Sequence, residues 1–155
     1  MPLRIGSEMP AFDGATEWFN GVVDPASLIG QPTVVYFWAN SCHICKDNMP
    51  TLAIWKKRYA GKIRIVSVHR PRQESDMDIA GVKQAMQKYN IDEPTAIDNT
   101  HEVGDRFETG TYWPYYFLFD GEGKMKSRAA GDVGLAQIEK ALERLLNEQP
   151  AEASR

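Results

Sequence analysis

The sequence predicts an α/β domain built on a mixed β-sheet. Residues 33–39 form a continuous run of β-branched, aromatic and small apolar residues, which is typical of a strand buried on both faces of a sheet. Along the rest of the chain, strand-like and helix-like patterns alternate, and they end in a hairpin pattern and a last helix. The 155 residues, 43% of them hydrophobic and 25% charged, are enough for one domain with its own core.

The first elements are short. Residues 15–19 predict a strand at the edge of the sheet, and residues 24–30 predict a capped helical turn because Pro25 stands at its first position. After the buried strand, apolar residues recur at helical spacing and predict a helix from Cys42 to about Tyr59.

The second half of the chain continues the alternation. Asn48 is expected to cap a second helical segment that begins near Pro50, because proline interrupts a helix interior. Residues 70–78 carry charges of both signs and predict a solvated loop. Periodicity and a Gly-Glu-Gly hairpin signal predict the remaining strands at 63–68, 94–98, 115–120 and 124–129, and the remaining helices at 78–89, 102–108 and 135–147.

Charge and hydropathy exclude two classes of partner. The formal net charge of −3 and the pI near 5.6 give no basic surface for nucleic acid or for an anionic membrane. The longest apolar run, residues 34–39, is far shorter than the roughly 20 residues of a membrane span. The N-terminal sequence has neither the basic start nor the apolar stretch of a secretory signal, which predicts a cytoplasmic protein. An extracytoplasmic protein whose signal or anchor has been removed is the alternative.

The two cysteines form a single short-range pair, Cys42 and Cys45. A disulfide between them closes a very small loop, which contributes only about 2 kcal/mol by chain entropy, against about 4.7 kcal/mol for a 100-residue loop. A domain of this size gains little from so weak a link, so the pair is predicted to react rather than to brace. A reactive pair also agrees with a reducing compartment, where structural disulfides are rare.

The pair lies where the buried strand gives way to a helix, and a C-x-x-C motif in that setting indicates redox activity. At a helix N-terminus, free backbone N–H groups and the positive end of the dipole stabilise a thiolate, and such sites lower a cysteine pKa to roughly 3.5–7.5. Cys42 is therefore expected to be the attacking thiolate. Cys45, one turn later and more buried, is expected to act second.

The segment around the cysteines, residues 38–46, resembles the W-A-x-x-C-x-x-C-K motif of the thioredoxin superfamily. Trp113-Pro114, before a predicted strand, resembles the cis-proline loop of the same superfamily. Pro50 matches its helix proline, and Gly131 matches the glycine before its last helix. Four motifs in this order make the resemblance specific.

This resemblance implies a thioredoxin-like fold for a single domain of residues 1–155, with its core at about 30–147. The mixed central sheet is expected to be flanked by helices and to carry an extra N-terminal strand. The helix and strand predicted at 78–98 resemble the insertion of the TlpA/ResA-type branch of thiol–disulfide oxidoreductases.

The resemblance also implies a mechanism and partners. Cys42 attacks a disulfide of a partner protein, and Cys45 resolves the mixed disulfide, so that the domain ends oxidised. A cis Pro114 shapes a groove in which the backbone of Trp113 pairs with the bound polypeptide, and Trp38 is expected to lie partly in the core and partly against the partner. The expected partners are protein disulfides and an upstream electron donor. The chain is expected to act as a monomer without cofactor or metal.

Two positions depart from the superfamily pattern. Tyr36 stands where thioredoxins place a buried Asp, and Asn48 stands where TlpA/ResA-type proteins often place a Glu. Neither side chain readily accepts the proton that Cys45 loses, so His69, just past the neighbouring predicted strand, is a candidate proton relay. A cationic His43 inside the motif is expected to raise the reduction potential by roughly 7–20 mV.

Three other interpretations of the cysteine pair fit the sequence less well. A zinc half-site needs a second pair of ligands, and His43, His69 and His101 do not form one. A copper carrier of the same superfamily has three residues between its cysteines rather than two. A peroxiredoxin has Pro and Thr where this chain has Val35 and Ala39. Two functional alternatives stay open: an extracytoplasmic reductant, for instance in cytochrome c maturation, and a redox-inert binding module on the same fold.

Overall fold

The computed structural model describes residues 3–148, so the ends of the predicted domain, 1–2 and 149–155, lie outside the described residues. The strands are β1 (Glu17–Phe19), β2 (Thr33–Trp38), β3 (Arg64–His69), β4 (Thr95–Ile97), β5 (Tyr115–Phe119) and β6 (Met125–Ala130). They form one six-stranded sheet in the order β1-β4-β3-β2-β5-β6.

Helices connect these strands and cover the sheet. They are α1 (His43–Asp47), α2 (Met49–Arg58), α3 (Ile79–Lys88), α4 (Glu102–Arg106) and α5 (Gly134–Glu148), with 3-10 turns at Ala26–Leu28 and Glu74–Met77. In the described part of the chain, no helix is long and apolar enough to cross a membrane.

Strand directions bring three chain segments to one end of the sheet. β3 runs parallel to β2 and β4, whereas β5 is antiparallel to β2. In this register Trp38 lies beside His69, and Phe37 lies opposite Tyr115. The carboxyl ends of β2 and β3 and the beginning of β5 therefore meet, at the end where open α/β sheets place their ligands.

The sheet is buried on both faces, which explains the continuous apolar run of β2. Alternate residues of a strand point to opposite faces, and all six residues of β2 are buried. Val34, Tyr36 and Trp38 belong to a layer with both cysteines and residues of α2, α3 and α5. Val35 and Phe37 belong to a second layer, which includes residues of α4 and of the N-terminal segment.

The predicted order of elements is confirmed, including the mixed sheet, the extra N-terminal strand and the helix–strand insertion. The insertion comprises α3 and β4, and β1 pairs with β4 at the edge of the sheet. The continuous helix expected after the cysteines is divided at Asn48 into α1 and α2, with Pro50 in the first turn of α2. Asn48 is the N-cap residue of α2, as predicted, but its side chain makes no capping hydrogen bond. Its amide Nδ2 donates to the hydroxyl of Tyr116 at 2.9 Å. Asn48 ties the helices to β5 instead.

Candidate active site

Cys42 and Cys45 form a disulfide at the beginning of α1, with their Cα atoms 5.3 Å apart. Cys42 is the N-cap residue of this helix, and its sulfur accepts a hydrogen bond from the backbone N–H of Cys45 at 3.1 Å. This N–H is one of the donors that a helix leaves unpaired at its start. The same donor is placed to stabilise a thiolate on Cys42 when the disulfide is reduced.

Exposure does not distinguish the two cysteines in the oxidised form. Cys42 is 3% exposed and Cys45 is 1% exposed. The two residues between them, His43 and Ile44, are exposed, so they form the outer surface of the motif. The Nε2 atom of His43 lies 3.4 Å from Oδ2 of Asp47, one turn further along α1.

The imidazole of His69 supports the loop before the cysteines. His69 is fully buried at the end of β3, and its Nε2 accepts the backbone N–H of Asn40 at 3.0 Å. Burial lowers the pKa of His69 to about 4, against the opposing effect of the Asp76 carboxylate, so the ring is neutral near pH 7. Because Nε2 accepts, the proton is assigned to Nδ1, which has no hydrogen-bond partner among the described residues.

A buried carboxylate holds Ser41, the residue before the first cysteine. Asp76 is 3% exposed and accepts the backbone N–H of Ser41 at 2.9 Å and its hydroxyl at 2.7 Å. The same carboxylate accepts the backbone N–H groups of Arg72 at 2.9 Å and Gln73 at 3.3 Å. The loop before the cysteines is therefore fixed both by His69 and by Asp76.

The prediction of a solvated loop at 70–78 is wrong for two of its charged residues. Arg70 and Asp76 are buried, whereas residues 72–75 between them are exposed. The groups that the Arg70 side chain binds, and the Ser41 groups that Asp76 binds, lie more than 30 positions away in the sequence, so a local pattern of mixed charges gives no sign of them. Sequence reasoning also missed Glu93, a third buried charged residue near the cysteine layer.

The loop before β5 carries the cis peptide bond that the resemblance implies, between Trp113 and Pro114. Pro114 is buried, and its carbonyl accepts the backbone N–H of Gly131 at 3.0 Å. Trp113 is half-buried and packs against the core layer that contains both cysteines. Its indole N–H donates to the carbonyl of Arg70 at 2.9 Å. The loop, the disulfide and the end of β3 therefore share one end of the sheet.

Trp38 lies wholly in the core, which corrects the expectation that part of it faces a partner. Its exposed fraction is 0%, and its indole N–H donates to the hydroxyl of Ser67 at 2.8 Å. The ring packs edge to face with His69, with 4.7 Å between the ring centroids. A side chain enclosed in this way supports the site from beneath and offers no surface to a partner.

Tyr36, at the position of the superfamily's buried Asp, belongs to a buried polar cluster. Its hydroxyl donates to the carboxylate of Glu93, which also accepts from Nζ of Lys56 at 2.9 Å. Burial raises the pKa of Tyr36 well above its ordinary value, and the negative charge of Glu93 raises it further. Tyr36 therefore stays a hydroxyl donor near pH 7, and the carboxylate of this cluster is supplied by Glu93.

The histidines do not gather around the cysteines. His43 is exposed, His69 is buried under the preceding loop, and His101 accepts a hydrogen bond from Nε of Arg70 at 3.1 Å. Within residues 3–148, no group of three or more His, Cys, Asp or Glu side chains is placed to hold a metal ion.

A mixed sheet of this topology, with a C-x-x-C disulfide at the start of the helix after β2, defines the class of thioredoxin-like thiol–disulfide oxidoreductases. Such proteins work by making and breaking the bond between the two sulfurs. The chain belongs to the AhpC/TSA family, which matches residues 5–128.

Comparison with known proteins agrees with this class. The thiol-disulfide oxidoreductase YkuV of Bacillus subtilis is 35% identical over 147 residues, which cover 94% of this chain and 99% of YkuV. The thiol-disulfide oxidoreductase ResA of Bacillus cereus is 25% identical over 144 residues, covering 92% of this chain and 79% of ResA. The solution structure of a thioredoxin-like protein in the oxidised form has a TM-score of 0.86 and 35% identity, covering 94% of this chain and 99% of that protein. The predicted thioredoxin-like fold of TlpA/ResA type is confirmed, and the chain is a thiol–disulfide oxidoreductase.

Proposed function

We propose that Cys42 is the attacking thiolate and Cys45 the resolving thiol in exchange with protein disulfides. The observation that carries this assignment is the N-cap position of Cys42, whose sulfur accepts the backbone N–H of Cys45. In the reduced chain, the Cys42 thiolate attacks one sulfur of the partner disulfide, and the other partner sulfur leaves as a thiolate and takes up a proton. Cys45 then loses its proton and attacks the Cys42 sulfur, which releases the second partner thiol. Two electrons pass to the partner, and the Cys42–Cys45 disulfide remains.

Insulin reduction with dithiothreitol tests the order of the two cysteines. We expect Cys42→Ser to abolish turnover, because it removes the attacking sulfur. We expect Cys45→Ser to accumulate a mixed disulfide with insulin, which a non-reducing gel detects. The double variant is the control and forms no adduct. If Cys45→Ser abolishes turnover without an adduct while Cys42→Ser traps one, the two roles are reversed; turnover by Cys42→Ser at the wild-type rate contradicts the function.

The thiolate character of Cys42 is tested separately by alkylation. In the Cys45→Ser variant, Cys42 is the remaining thiol, and its rate of reaction with iodoacetamide follows the thiolate fraction. The helix N-terminus is expected to keep this rate high below pH 7. A midpoint near the value of about 8.5 that free cysteine shows contradicts the role of the helix terminus.

We assign binding of the partner polypeptide to the loop of Trp113 and Pro114. The loop lies at the same end of the sheet as the disulfide, and Trp113 packs against the layer that contains both cysteines. Large exposed side chains stand beside both segments: Tyr112 is 64% exposed and Ile44 is 39% exposed. Trp113→Ala is expected to raise KM for insulin several-fold, and an unchanged KM contradicts this assignment.

His43 is proposed to tune the reduction potential of the pair. Its imidazole is exposed, and Asp47 at 3.4 Å offsets the charge of a protonated ring, so the effect is small. His43→Gln is expected to change the potential, measured against glutathione, by less than about 20 mV. A change well beyond this value contradicts a purely electrostatic role.

His69 is proposed to relay the proton that Cys45 loses. Its neutral imidazole is buried at the end of β3, beside the loop that leads to the pair. Because Nε2 already accepts the N–H of Asn40, the relay requires this bond to open when Cys45 is deprotonated. If His69→Ala leaves the pH dependence of resolution unchanged, the relay by His69 is refuted.

The proposed location is the cytoplasm, where a single monomeric domain exchanges disulfides of partner proteins and is itself reduced by an upstream donor. The support is that both cysteines belong to one reactive pair, as expected in a reducing compartment. Cell fractionation tests the location, and size-exclusion chromatography tests the monomer. A reduction potential near −270 mV indicates a reductant and one near −120 mV an oxidant. An extracytoplasmic location would favour the alternative of a reductant in cytochrome c maturation.

A further inference from the structure

Arg70 is a buried charged residue that takes no part in the proposed thiol–disulfide exchange. It directly follows β3 and is 8% exposed. Its backbone N–H donates to the carbonyl of Trp38 at 2.9 Å. Because Trp38 ends β2, shortly before Cys42, the backbone of Arg70 is tied to the strand that leads to the cysteine pair.

The guanidinium of Arg70 reaches the loop before β5. Its Nη1 donates to the hydroxyl of Thr109 at 3.1 Å and to the carbonyl of Gly110 at 2.8 Å. Its Nε donates to Nδ1 of His101 at 3.1 Å. A planar guanidinium carries its donors in fixed directions, so these contacts fix the loop and the end of β3 relative to each other.

Arg70 also holds the indole of Trp113 from two directions. Its carbonyl accepts the indole N–H at 2.9 Å, and its guanidinium carbon lies 4.6 Å from the centroid of the ring. A cation over a tryptophan ring at this distance is attractive, and the hydrogen bond at the ring edge restrains the rotation of the side chain. The orientation of Trp113 is therefore set by Arg70.

The charge of Arg70 is not neutralised by a direct ion pair. Within residues 3–148, the ion pairs with nitrogen and oxygen atoms 4.0 Å apart or closer do not include it. A buried charge is unfavourable unless it is well hydrogen-bonded, so a neutral residue would serve simple packing better. Arginine has a planar guanidinium group, which donates hydrogen bonds to the loop and at the same time stacks on the indole ring of Trp113. Gly104 leaves the necessary room, because a Cβ at this position would lie 2.5 Å from Cδ of Arg70.

We infer that Arg70 is a positioning residue, which holds Trp113 and the loop before Pro114 in the conformation that binds the partner polypeptide. This inference deepens the proposed function and rests on its assignment of Trp113 to partner binding. Arg70 has no part in the exchange between sulfur atoms. Its loss therefore weakens the binding of a protein partner and leaves the reaction with a small disulfide unchanged.

Two substrates of different size separate these effects: steady-state reduction of insulin, and oxidation of the reduced chain by oxidised glutathione. Arg70→Met keeps an unbranched apolar stem and removes the guanidinium, and we expect it to raise KM for insulin about five- to tenfold, with kcat and the glutathione rate within about twofold. Arg70→Lys keeps the charge without the fork and is expected to show most of the same increase. Arg106→Met is the control for the loss of an arginine, because the hydrogen bonds of Arg106 among the described residues go to the backbone carbonyls of Ala11 and Asp13 and not to the loop before Pro114.

Trp113→Ala removes the ring on which the Arg70 guanidinium stacks, whereas the bond from the indole N–H goes to the backbone of Arg70 and survives a change of its side chain. If Arg70 acts through Trp113, the double variant raises KM no more than Trp113→Ala alone. Equal losses with insulin and glutathione, or additive effects on KM, overturn the inference. If Arg70→Met does not fold, Arg70→Lys and Trp113→Ala provide the same comparison. An unchanged KM in the Arg70 variants, with turnover abolished by Cys42→Ser, refutes the positioning role alone; turnover by Cys42→Ser refutes the proposed function itself.

Discussion

The carboxylate of Asp76 binds Ser41 through both its backbone N–H and its hydroxyl, at 2.9 and 2.7 Å. Ser41 precedes Cys42, so a residue 34 positions after the first cysteine fixes the loop that presents it. Four hydrogen bonds converge on this buried carboxylate, and three of them satisfy backbone N–H groups outside helices and strands, those of Ser41, Arg72 and Gln73.

Asp76→Ala is expected to lower the free energy of unfolding by about 2–4 kcal/mol, because four part-buried donors lose the charged acceptor that they share. The freed loop is also expected to slow the reaction of the reduced chain with oxidised glutathione. Urea unfolding and the glutathione rate measure the two effects. Asp78→Ala is the control, since Asp78 is exposed and its side chain does not cap α3. Similar unfolding free energies for the two variants contradict the role of Asp76.

His69 makes the stability of the fold depend on pH. Burial lowers the pKa of His69 from 6.5 to about 4, while the unfolded chain keeps the ordinary value. As pH falls, the unfolded state therefore binds the proton first. The stabilising contribution of the neutral ring is fully present above about pH 6.5 and is lost as pH falls to about 4, a change on the order of 3 kcal/mol.

Urea unfolding at a series of pH values checks this expectation. His69→Gln retains an acceptor for the N–H of Asn40 and cannot titrate, so its stability should fall less steeply than that of the wild type between pH 6.5 and 4. His43→Gln, which replaces an exposed histidine, should keep the wild-type slope. Parallel curves for the wild type and His69→Gln would mean that burial does not suppress protonation of His69.

β2 and the reactive cysteine pair can be predicted because their signals are local in the sequence. The features that the sequence did not predict depend on contacts between distant residues. β2 is recognisable because a strand buried on both faces must be apolar throughout. The helix that starts at the cysteines also follows from neighbouring residues. Arg70 and Asp76 are different, because the side-chain partners of Arg70 and the Ser41 partner of Asp76 lie 31 to 40 positions away in the sequence.

The same difference explains two details of the site. Asn48 stands at the N-cap of α2, but its side chain makes no capping bond, and its amide N–H donates to the hydroxyl of Tyr116, 68 positions later. Trp38 lies close to the C-x-x-C motif in the sequence, and this position alone is compatible with contact to a partner. Its complete burial follows from the packing of Ser67 and His69 on the neighbouring strand, which becomes visible only when β2 and β3 are paired.

The ion pair between Lys56 and Glu93 yields a third prediction. The Glu93 side chain is 5% exposed, the Lys56 side chain is 23% exposed, and the Glu93 carboxylate also accepts the hydroxyl of Tyr36. Lys56→Met leaves this buried charge with the hydroxyl alone, and we expect a loss of about 2–3 kcal/mol in the free energy of unfolding. Lys57→Met, at the exposed neighbouring position, should change it by less than about 0.5 kcal/mol.

A restoring variant tests whether the effect comes from the unpaired charge. Adding Glu93→Gln to Lys56→Met removes the charge and keeps an acceptor for Tyr36, so part of the lost stability should return. If the double variant is less stable than Lys56→Met alone, the buried charge is not what destabilises the single variant.

Gly104 packs against the side chain of Arg70, and this contact determines how Gly104→Ala changes the free energy of unfolding. Helix propensity alone would favour the substitution. Alanine in a helix interior is about 1 kcal/mol more favourable than glycine. At this position, however, a Cβ would lie 2.5 Å from Cδ and 2.6 Å from Nε of Arg70, and 3.0 Å from the hydroxyl of Thr109. Because Arg70 is held by several hydrogen bonds, it cannot move away without losing them, and overpacking of this kind destabilises by about 1–3 kcal/mol.

Gly104→Ala is therefore expected to lower the free energy of unfolding and to raise KM for insulin in the same direction as Arg70→Met. Gly81→Ala in α3 is the comparison on stability, because a Cβ there would meet only the ends of two side chains, Asp78 Oδ2 at 3.2 Å and Asn40 Nδ2 at 3.3 Å, rather than a side chain held by several hydrogen bonds. We expect Gly81→Ala to be neutral or stabilising by up to about 1 kcal/mol. A Gly104→Ala variant as stable as Gly81→Ala, with an unchanged KM, would show that Arg70 adjusts without loss and that its contacts with the loop are not required for binding.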